Sequence, residues 1–354
     1  MRKKILYAVL NWGLGHSTRS LPIIRELIKN NEVVILSTGR SLMLLKSEFP
    51  EIEVIDYPDY SIKYVNNANF LFLSLAFQLP KILLGLWKEN SFTDRLVKEK
   101  NIDIIISDNR YGVYSKGIPS YLITHQLKFK LPAVLKWFEF LSEYFNKFYF
   151  SKFKKILIPD LEGEPNFSGE LSHEFSLIDR SKLEYIGLLS DTMNCESLSS
   201  DYLVLISGPE PQRTNFEKII SEQIKHIEGK KTVILGKTEI NSYESNNDIE
   251  YYSHLPRNKI SGMIKGAGMI ISRPGYSTVM EIAAMGKKAL FIPTPGQTEQ
   301  EYLARYYKKN KLFHYVTQKD LNLKTDIHEA QKYDEIPKQK VNDIGNIIKL
   351  IMEN

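Results

Sequence analysis

Short apolar runs with no polar residue alternating inside them recur along this chain. "KILYAVL", "EVVILST", "IEVID", "DIIISD", "PSYLIT" and "KILIPD" fall in the first half, and "YLVLIS", "KTVILG", "IEYYS", "MIISR" and "ALFIP" in the second. A strand with one wet face alternates polar and apolar residues; a run without alternation is covered on both faces, as in a parallel sheet sandwiched by helices. Amphipathic segments separate the runs, so the chain is α/β. Its 354 residues exceed one ordinary core and suit two. The stretch 160–200, rich in Ser, Gly, Asp and Glu, reads as the connection, with "KLEYIGLL" inside it adding an edge strand to the first domain. The expected division is 1–195, 196–335 and a terminal helix over 336–354, whose stripe of Val341, Ile344, Ile347, Ile348 and Ile351 packs on either domain.

The net charge of +5, from 47 basic and 42 acidic residues, is too small to argue for nucleic acid. Cys195 is the only cysteine, which excludes an internal disulfide framework and fits a reducing compartment. The start "MRKKILYAVLNWG" has no small-residue cleavage site and breaks at glycine, so it reads as a strand and the protein as cytoplasmic. Residues 70–87, "FLFLSLAFQLPKILLGLW", are apolar, but Gln78, Pro80 and Lys81 in their middle favour a buried or surface-lying helical pair over a membrane span. Residues 128–155 interleave Trp, Phe and Tyr with lysines and contain only two glutamates. That composition suits an interfacial helix on anionic lipid, or a core helix with a solvated lysine face.

Three apolar strands run into a helix through a glycine-containing turn: "NWGLGHSTRS" (11–20), "ISGPEPQRTNFEKII" and "ISRPGYSTVMEIAAMG". In open parallel sheets ligands bind beyond the carboxyl ends of strands, where a helix N-terminus offers unpaired N–H groups and about half a positive charge. None of the three is a dinucleotide or P-loop fingerprint, and each alone also reads as a tight turn. Together they favour a nucleotide diphosphate. Ser207 and Gly208 let backbone approach a phosphate, and Arg213 in the following first turn can bind one bidentately. Glu281 has two readings, the far end of a capping box begun by Thr278 or a carboxylate accepting ribose hydroxyls. His16 is either a polar first-turn residue or an imidazole kept neutral by the helix end and ready to take a proton.

Residues 272–307, "SRPGYSTVMEIAAMGKKALFIPTPGQTEQEYLARYY", resemble the C-terminal signature of family 28 glycosyltransferases. That family includes the enzyme adding N-acetylglucosamine to a lipid-linked peptidoglycan precursor, and monogalactosyldiacylglycerol synthases are similar there. The opening turn is similar to the family's G-x-G-H turn, with Trp12 and Leu14 in place of small residues, and "YLITHQLKF" (121–129) more loosely to its acceptor-site loop. The resemblance implies the GT-B architecture: two Rossmann-like, doubly wound domains facing a cleft, the first holding acceptor and the second a UDP-sugar donor. It places Glu281 on the donor ribose and Gln300 at the donor sugar, with Gln297 among the donor-binding residues. Ser207, Gly208 and Arg213 fall on the diphosphate turn, and Arg273, Gly275, Tyr276, Ser277 and Thr278 on the turn facing the phosphates. The segment "SHLPRN" with Leu255 falls at the base. Pro209 and Pro211 remove two N–H donors from the diphosphate turn.

The activity this implies is inverting transfer of a hexose or N-acetylhexosamine from the UDP-sugar to an acceptor hydroxyl, in cell-envelope glycan or glycolipid synthesis. His16 is the expected base, with Asp108 and His125, each ending an apolar strand, as alternatives; Asp108 beside His16 would orient the imidazole. Gly13, Gly15, Ser17 and Arg19 are expected on the acceptor side, in a helix starting near Ser17. No D-x-D-like pair lies near the turns, so neither a metal nor a cofactor beyond the donor is expected. The expected partners are the nucleotide sugar, a lipid-linked or soluble glycan acceptor and an anionic membrane surface on the cytoplasmic side. The competing readings are a UDP-sugar 2-epimerase, which needs no acceptor, and a non-catalytic nucleotide-sugar-binding subunit.

Overall fold

The computed structural model describes residues 2–60, 68–131, 133–190, 196–237, 242–337 and 344–353, without the side chains of 68–77 and 133–135. Cys195 and Val341 lie outside the described residues, as do the side chains of the first part of the 70–87 stretch. The chain separates into two compact units, Met1–Leu189 with Asn342–Asn354, and Ser190–Val341.

The first unit runs β1 (Lys4–Val9), α1 (Gly15–Leu27), β2 (Glu32–Ser37), α2 (Gly39–Glu48), β3 (Val54–Asp56), α3 (Ala68–Lys100), β4 (Ile104–Asp108), β5 (Ser120–Ile123), α4 (Glu139–Phe150), β6 (Lys155–Ile158), α5 (Glu170–His173) and β7 (Leu183–Tyr185). Its strands lie in the order β3-β2-β1-β4-β5-β6-β7, every pair parallel. Ile5 to Val9 are wholly buried, as helices on both faces require of an unalternating strand. From β1 the chain winds outward through β2 and β3, and from β4 it winds the other way. The loops after β1 and β4 therefore diverge and leave a crevice at the carboxyl ends of those two strands.

The second unit repeats the plan: β8 (Ser200–Leu205), α6 (Gln212–Gln223), β9 (Lys231–Ile234), β10 (Tyr243–Asn246), β11 (Ile249–Tyr252), α7 (Arg257–Gly266), β12 (Ala267–Ser272), α8 (Tyr276–Ala284), β13 (Lys288–Phe291), α9 (Thr298–Lys309), β14 (His314–Tyr315) and α10 (Leu323–Gln331). The order is β10-β11-β9-β8-β12-β13-β14, parallel except for the β10–β11 hairpin, so the reversal of winding falls between β8 and β12. The strands absent from the sequence reading are β10, exposed throughout, and β14, two residues long. Neither contains an apolar run. The last helix, α11 (Ile344–Glu353), returns to the first unit, burying Ile347 and Ile351, and the Tyr121 hydroxyl donates to the Ile351 carbonyl at 3.2 Å.

Residues 70–87 lie in the single helix α3, which runs through Pro80, in place of the expected helical pair. Among the described residues no helix is long and apolar enough to cross a membrane. Leu79, Leu83, Leu84 and Trp87 are exposed on it, while Leu86 joins a core cluster with Tyr111, Tyr149 and Phe150. The basic aromatic stretch divides similarly. Asn146, Tyr149 and Phe150 face inward, whereas Phe140, Leu141, Tyr144 and Phe148 of α4 and Trp137, 87% exposed in the preceding turn, face outward.

Candidate active site

The crevice between β1 and β4 holds a tight polar cluster. After Val9 the chain passes through Gly13, whose φ of +68° is a left-handed conformation that glycine adopts without steric cost and whose missing Cβ leaves open space. Helix α1 starts at Gly15, two residues earlier than expected, with no side-chain cap and no acidic residue in its first turn. Its first N–H groups therefore remain without intrahelical partners. His16, Arg19 and Ser20 stand at i, i+3 and i+4, on one helix face, and that face points at Asp108, the last residue of β4. His16 Nδ1 lies 2.7 Å from Asp108 Oδ1. Arg19 donates from Nε to Oδ2 at 2.7 Å and from Nη2 to Oδ1, and Ser20 Oγ donates to Oδ2 at 3.1 Å. At the end of β5, His125 Nδ1 lies 3.3 Å from Arg19 Nη1. The Ser17 hydroxyl is buried without a hydrogen-bond partner among the described residues.

The electrostatics follow from burial. Desolvation alone would raise the Asp108 carboxyl, but the Arg19 guanidinium, then His16, and the hydrogen bonds from both hold it far below the usual carboxylate range. His16 is pushed below the ordinary imidazole value by burial first and by the Arg19 cation second; Asp108 opposes this and His125 adds a push in the same direction. Because Asp108 is an acceptor only, the 2.7 Å contact puts the His16 hydrogen on Nδ1 and the lone pair on Nε2. The arrangement is a neutral imidazole oriented by a carboxylate, which is what a general base requires.

In the second unit the sequence-predicted residues lie at the ends of β8, β12 and β13. Ser207 and Gly208 are exposed after β8; Gly208 has φ +122°, and a Cβ there would lie 3.6 Å from Thr294 Oγ1. That hydroxyl, just past β13, is buried with no hydrogen-bond partner among the described residues. Gly275 caps α8, with Tyr276, Ser277 and Thr278 in its first turn and no acidic residue or side-chain cap among them. Gln297 precedes α9, and Gln300 accepts from the Thr294 N–H at 2.9 Å, which leaves its NH2 as the group to present. Leu255 is half-buried between β11 and α7.

Three readings change. Arg213 is not poised for a phosphate: Nε donates to Glu210 at 2.6 Å, Nη1 to Glu217 at 2.7 Å and Nη2 to Thr214 at 2.7 Å, so two carboxylates neutralise it. Arg273 is a buried tie: it donates to the carbonyls of Ile292 and Pro293 at 2.9 and 3.0 Å and stacks 4.2 Å above Phe216, and burial pulls its pKa down to about 10. The capping box fails because α8 begins at Tyr276, which puts Glu281 beyond the first turn, inside the helix. Glu281 is buried and ion-paired with Arg257 at the start of α7. Sequence reading passed over Ser20 and Thr294, and took in Arg257 only as part of the SHLPRN segment. Only Ser20 carried a local signal, its i+4 spacing from His16.

Residues 204–352 match the sequence model of the glycosyltransferase family 28 C-terminal domain, and residues 3–117 that of glycosyl transferase family 1. A glycosyltransferase of Methanosarcina mazei is 26% identical over 370 residues, covering 93% of this chain and 91% of its own. A UDP-N-acetylglucosamine–N-acetylmuramyl-(pentapeptide) pyrophosphoryl-undecaprenol N-acetylglucosamine transferase of Natranaerobius thermophilus is 24% identical over 309 residues, covering 80% of this chain and 78% of its own. Among solved structures, MurG of Acinetobacter baumannii shares the fold with a TM-score of 0.62 at 15% identity, covering 100% of both chains. The calicheamicin glycosyltransferase does so with a TM-score of 0.64 at 12% identity, covering 100% of this chain and 97% of its own. Two sheets that reverse their winding in the same way, joined to transferase relatives spanning most of the sequence, make this chain a glycosyltransferase of the GT-B fold, similar to family 28.

Proposed function

We propose that the protein transfers a hexosyl or N-acetylhexosaminyl group from a UDP-sugar to an acceptor hydroxyl with inversion at the anomeric carbon. The observation that carries this reading is His16, a partly buried neutral imidazole held by Asp108 beside a helix start without a side-chain cap. The acceptor O–H gives its proton to His16 Nε2, and the oxygen forms a bond to the anomeric carbon. The sugar–phosphate C–O bond breaks, and its electron pair leaves on the diphosphate of UDP. On the donor side the N–H groups at the start of α8 and the Gly208 turn stabilise the charge that develops on that leaving group. Glu281 accepts from the ribose hydroxyls once Arg257 yields it, Gln300 donates to the sugar, and the 253–258 segment with Leu255 reads the base.

The acceptor is a lipid-linked glycan or lipid met on an anionic membrane surface at the cytoplasmic side. Supporting this are the apolar side chains exposed on α3 and around α4, together with the exposed Lys81, Lys88, Lys136 and Lys147. The test is a UDP-release screen of nucleotide sugars against lipid and soluble acceptors, with His16→Ala alongside. UDP release that depends on acceptor and falls roughly 10²–10⁴-fold in His16→Ala is expected. Full activity in His16→Ala overturns the base assignment, and conversion of the sugar nucleotide without acceptor favours the epimerase.

A further inference from the structure

In this site Asp108 spends all four of its lone-pair positions: Oδ1 on His16 and Arg19 Nη2, Oδ2 on Arg19 Nε and Ser20. The carboxylate is thus pinned in rotation, and its charge is cancelled by a guanidinium as deeply buried as itself, with side chains 1% and 0% exposed. The same guanidinium reaches the second histidine. A guanidinium nitrogen is only a donor, so at Nη1 it makes His125 Nδ1 an acceptor and moves the His125 hydrogen to Nε2. At His16 the carboxylate makes the opposite choice. The contact of 3.0 Å between Arg19 Nη2 and His16 Nδ1 follows from their sharing Asp108 Oδ1. The charged and titratable groups facing His16 are Arg19 on its own helix, Asp108 at the end of β4 and His125 at the end of β5.

We propose that Arg19 is the positioning residue of this site: its guanidinium, shared between Asp108 and His125, holds the two imidazoles in opposite tautomers, His16 with a lone pair at Nε2 and His125 with a hydrogen at Nε2. His16 then offers the substrate a base, while the Asp108 charge is cancelled within the cluster by Arg19. Without the arginine the carboxylate would act on His16 unopposed and raise its proton affinity. The inference rests on the base assignment above, but its test reads the histidine ring nitrogens.

The test is long-range 1H–15N correlation on the full-length protein labelled at histidine, with His16→Asn and His125→Asn to assign the two rings. The wild type is expected to show opposite nitrogen patterns in the two rings, His16 with its hydrogen on Nδ1 and His125 with its hydrogen on Nε2. In Arg19→Met the His16 titration should move up by at least about one pH unit, a tenfold change in proton affinity, and His125 should become a mixture of tautomers. Arg19→Lys, which keeps the charge but not the fork, should move the titration less and still release His125. The same tautomer in both wild-type rings, or a His16 already protonated at about pH 7, overturns the proposal with no variant needed. A folded Arg19→Met with unchanged titrations also overturns it. If His16→Asn transfers normally while the titrations behave as described, the base assignment fails and the role of Arg19 stands.

Discussion

Asp108→Asn tests how the buried charges share one another's cost. The substitution keeps the shape but leaves the Arg19 guanidinium, 1% exposed, without its carboxylate. Removing one partner of a buried ion pair costs about 3–5 kcal/mol, mostly because the remaining charge is stranded away from water. Arg19→Met is expected to cost less, since His16 can take up a proton and restore neutrality against Asp108. The double variant strands nothing, so its loss should fall short of the sum of the two single losses by about 3 kcal/mol. The protein provides its own probe: its three tryptophans, Trp12, Trp87 and Trp137, all lie in the first unit. Fluorescence melts therefore report that unit without a two-state assumption for the whole chain. At roughly 2–4 °C per kcal/mol, Asp108→Asn should lower the midpoint by about 6–20 °C. Additivity of the two single losses within about 0.5 kcal/mol would refute the picture of a mutually neutralised buried pair.

The pH dependence of the same melts has a definite sign. His16 and Asp108 are both held below their ordinary values, so the unfolded chain binds more protons at each, and both contributions are present above the unfolded values and lost on acidification. The first unit should lose stability as pH falls below about 6.5 and again below about 4; a flat profile across both ranges contradicts the assigned environments. Glu281→Gln should weaken UDP binding in calorimetry by roughly 10–100-fold, the worth of charged hydrogen bonds to a ribose, and an unchanged affinity removes Glu281 from the donor site. Arg213→Ala should change UDP affinity by less than about threefold, because its guanidinium is already spent on Glu210 and Glu217, each such surface pair being worth about 1 kcal/mol or less. A larger loss would restore Arg213 as a phosphate ligand. Trp87→Ala with Trp137→Ala should reduce co-sedimentation with anionic vesicles at low salt without lowering the melting midpoint; no vesicle binding by the wild type ends the membrane reading.

The fold was readable because its determinants are local. A strand buried on both faces must be apolar at every position, so Ile5 to Val9 and their counterparts announce a parallel sheet, and glycine marks the turns where helix starts meet strand ends. The face of α1 that carries the site was also written in the spacing of His16, Arg19 and Ser20, and the binding of Arg213 by Glu217 in its i, i+4 spacing, although that glutamate was not weighed. Elements without an apolar run, β10 and β14, carried no such mark. What tertiary structure alone decided is which side chains lose their water together. Asp108 joins α1 from 88 residues beyond Ser20 only because β1 and β4 are neighbours in the sheet. Arg273 becomes a buried tie because the Ile292 and Pro293 carbonyls close over it, and Glu281 turns to Arg257 because α8 begins three residues before the capping box would have required. A charge's role depends on its desolvation and its partners, and both are set by chain crossings that residue spacing does not encode.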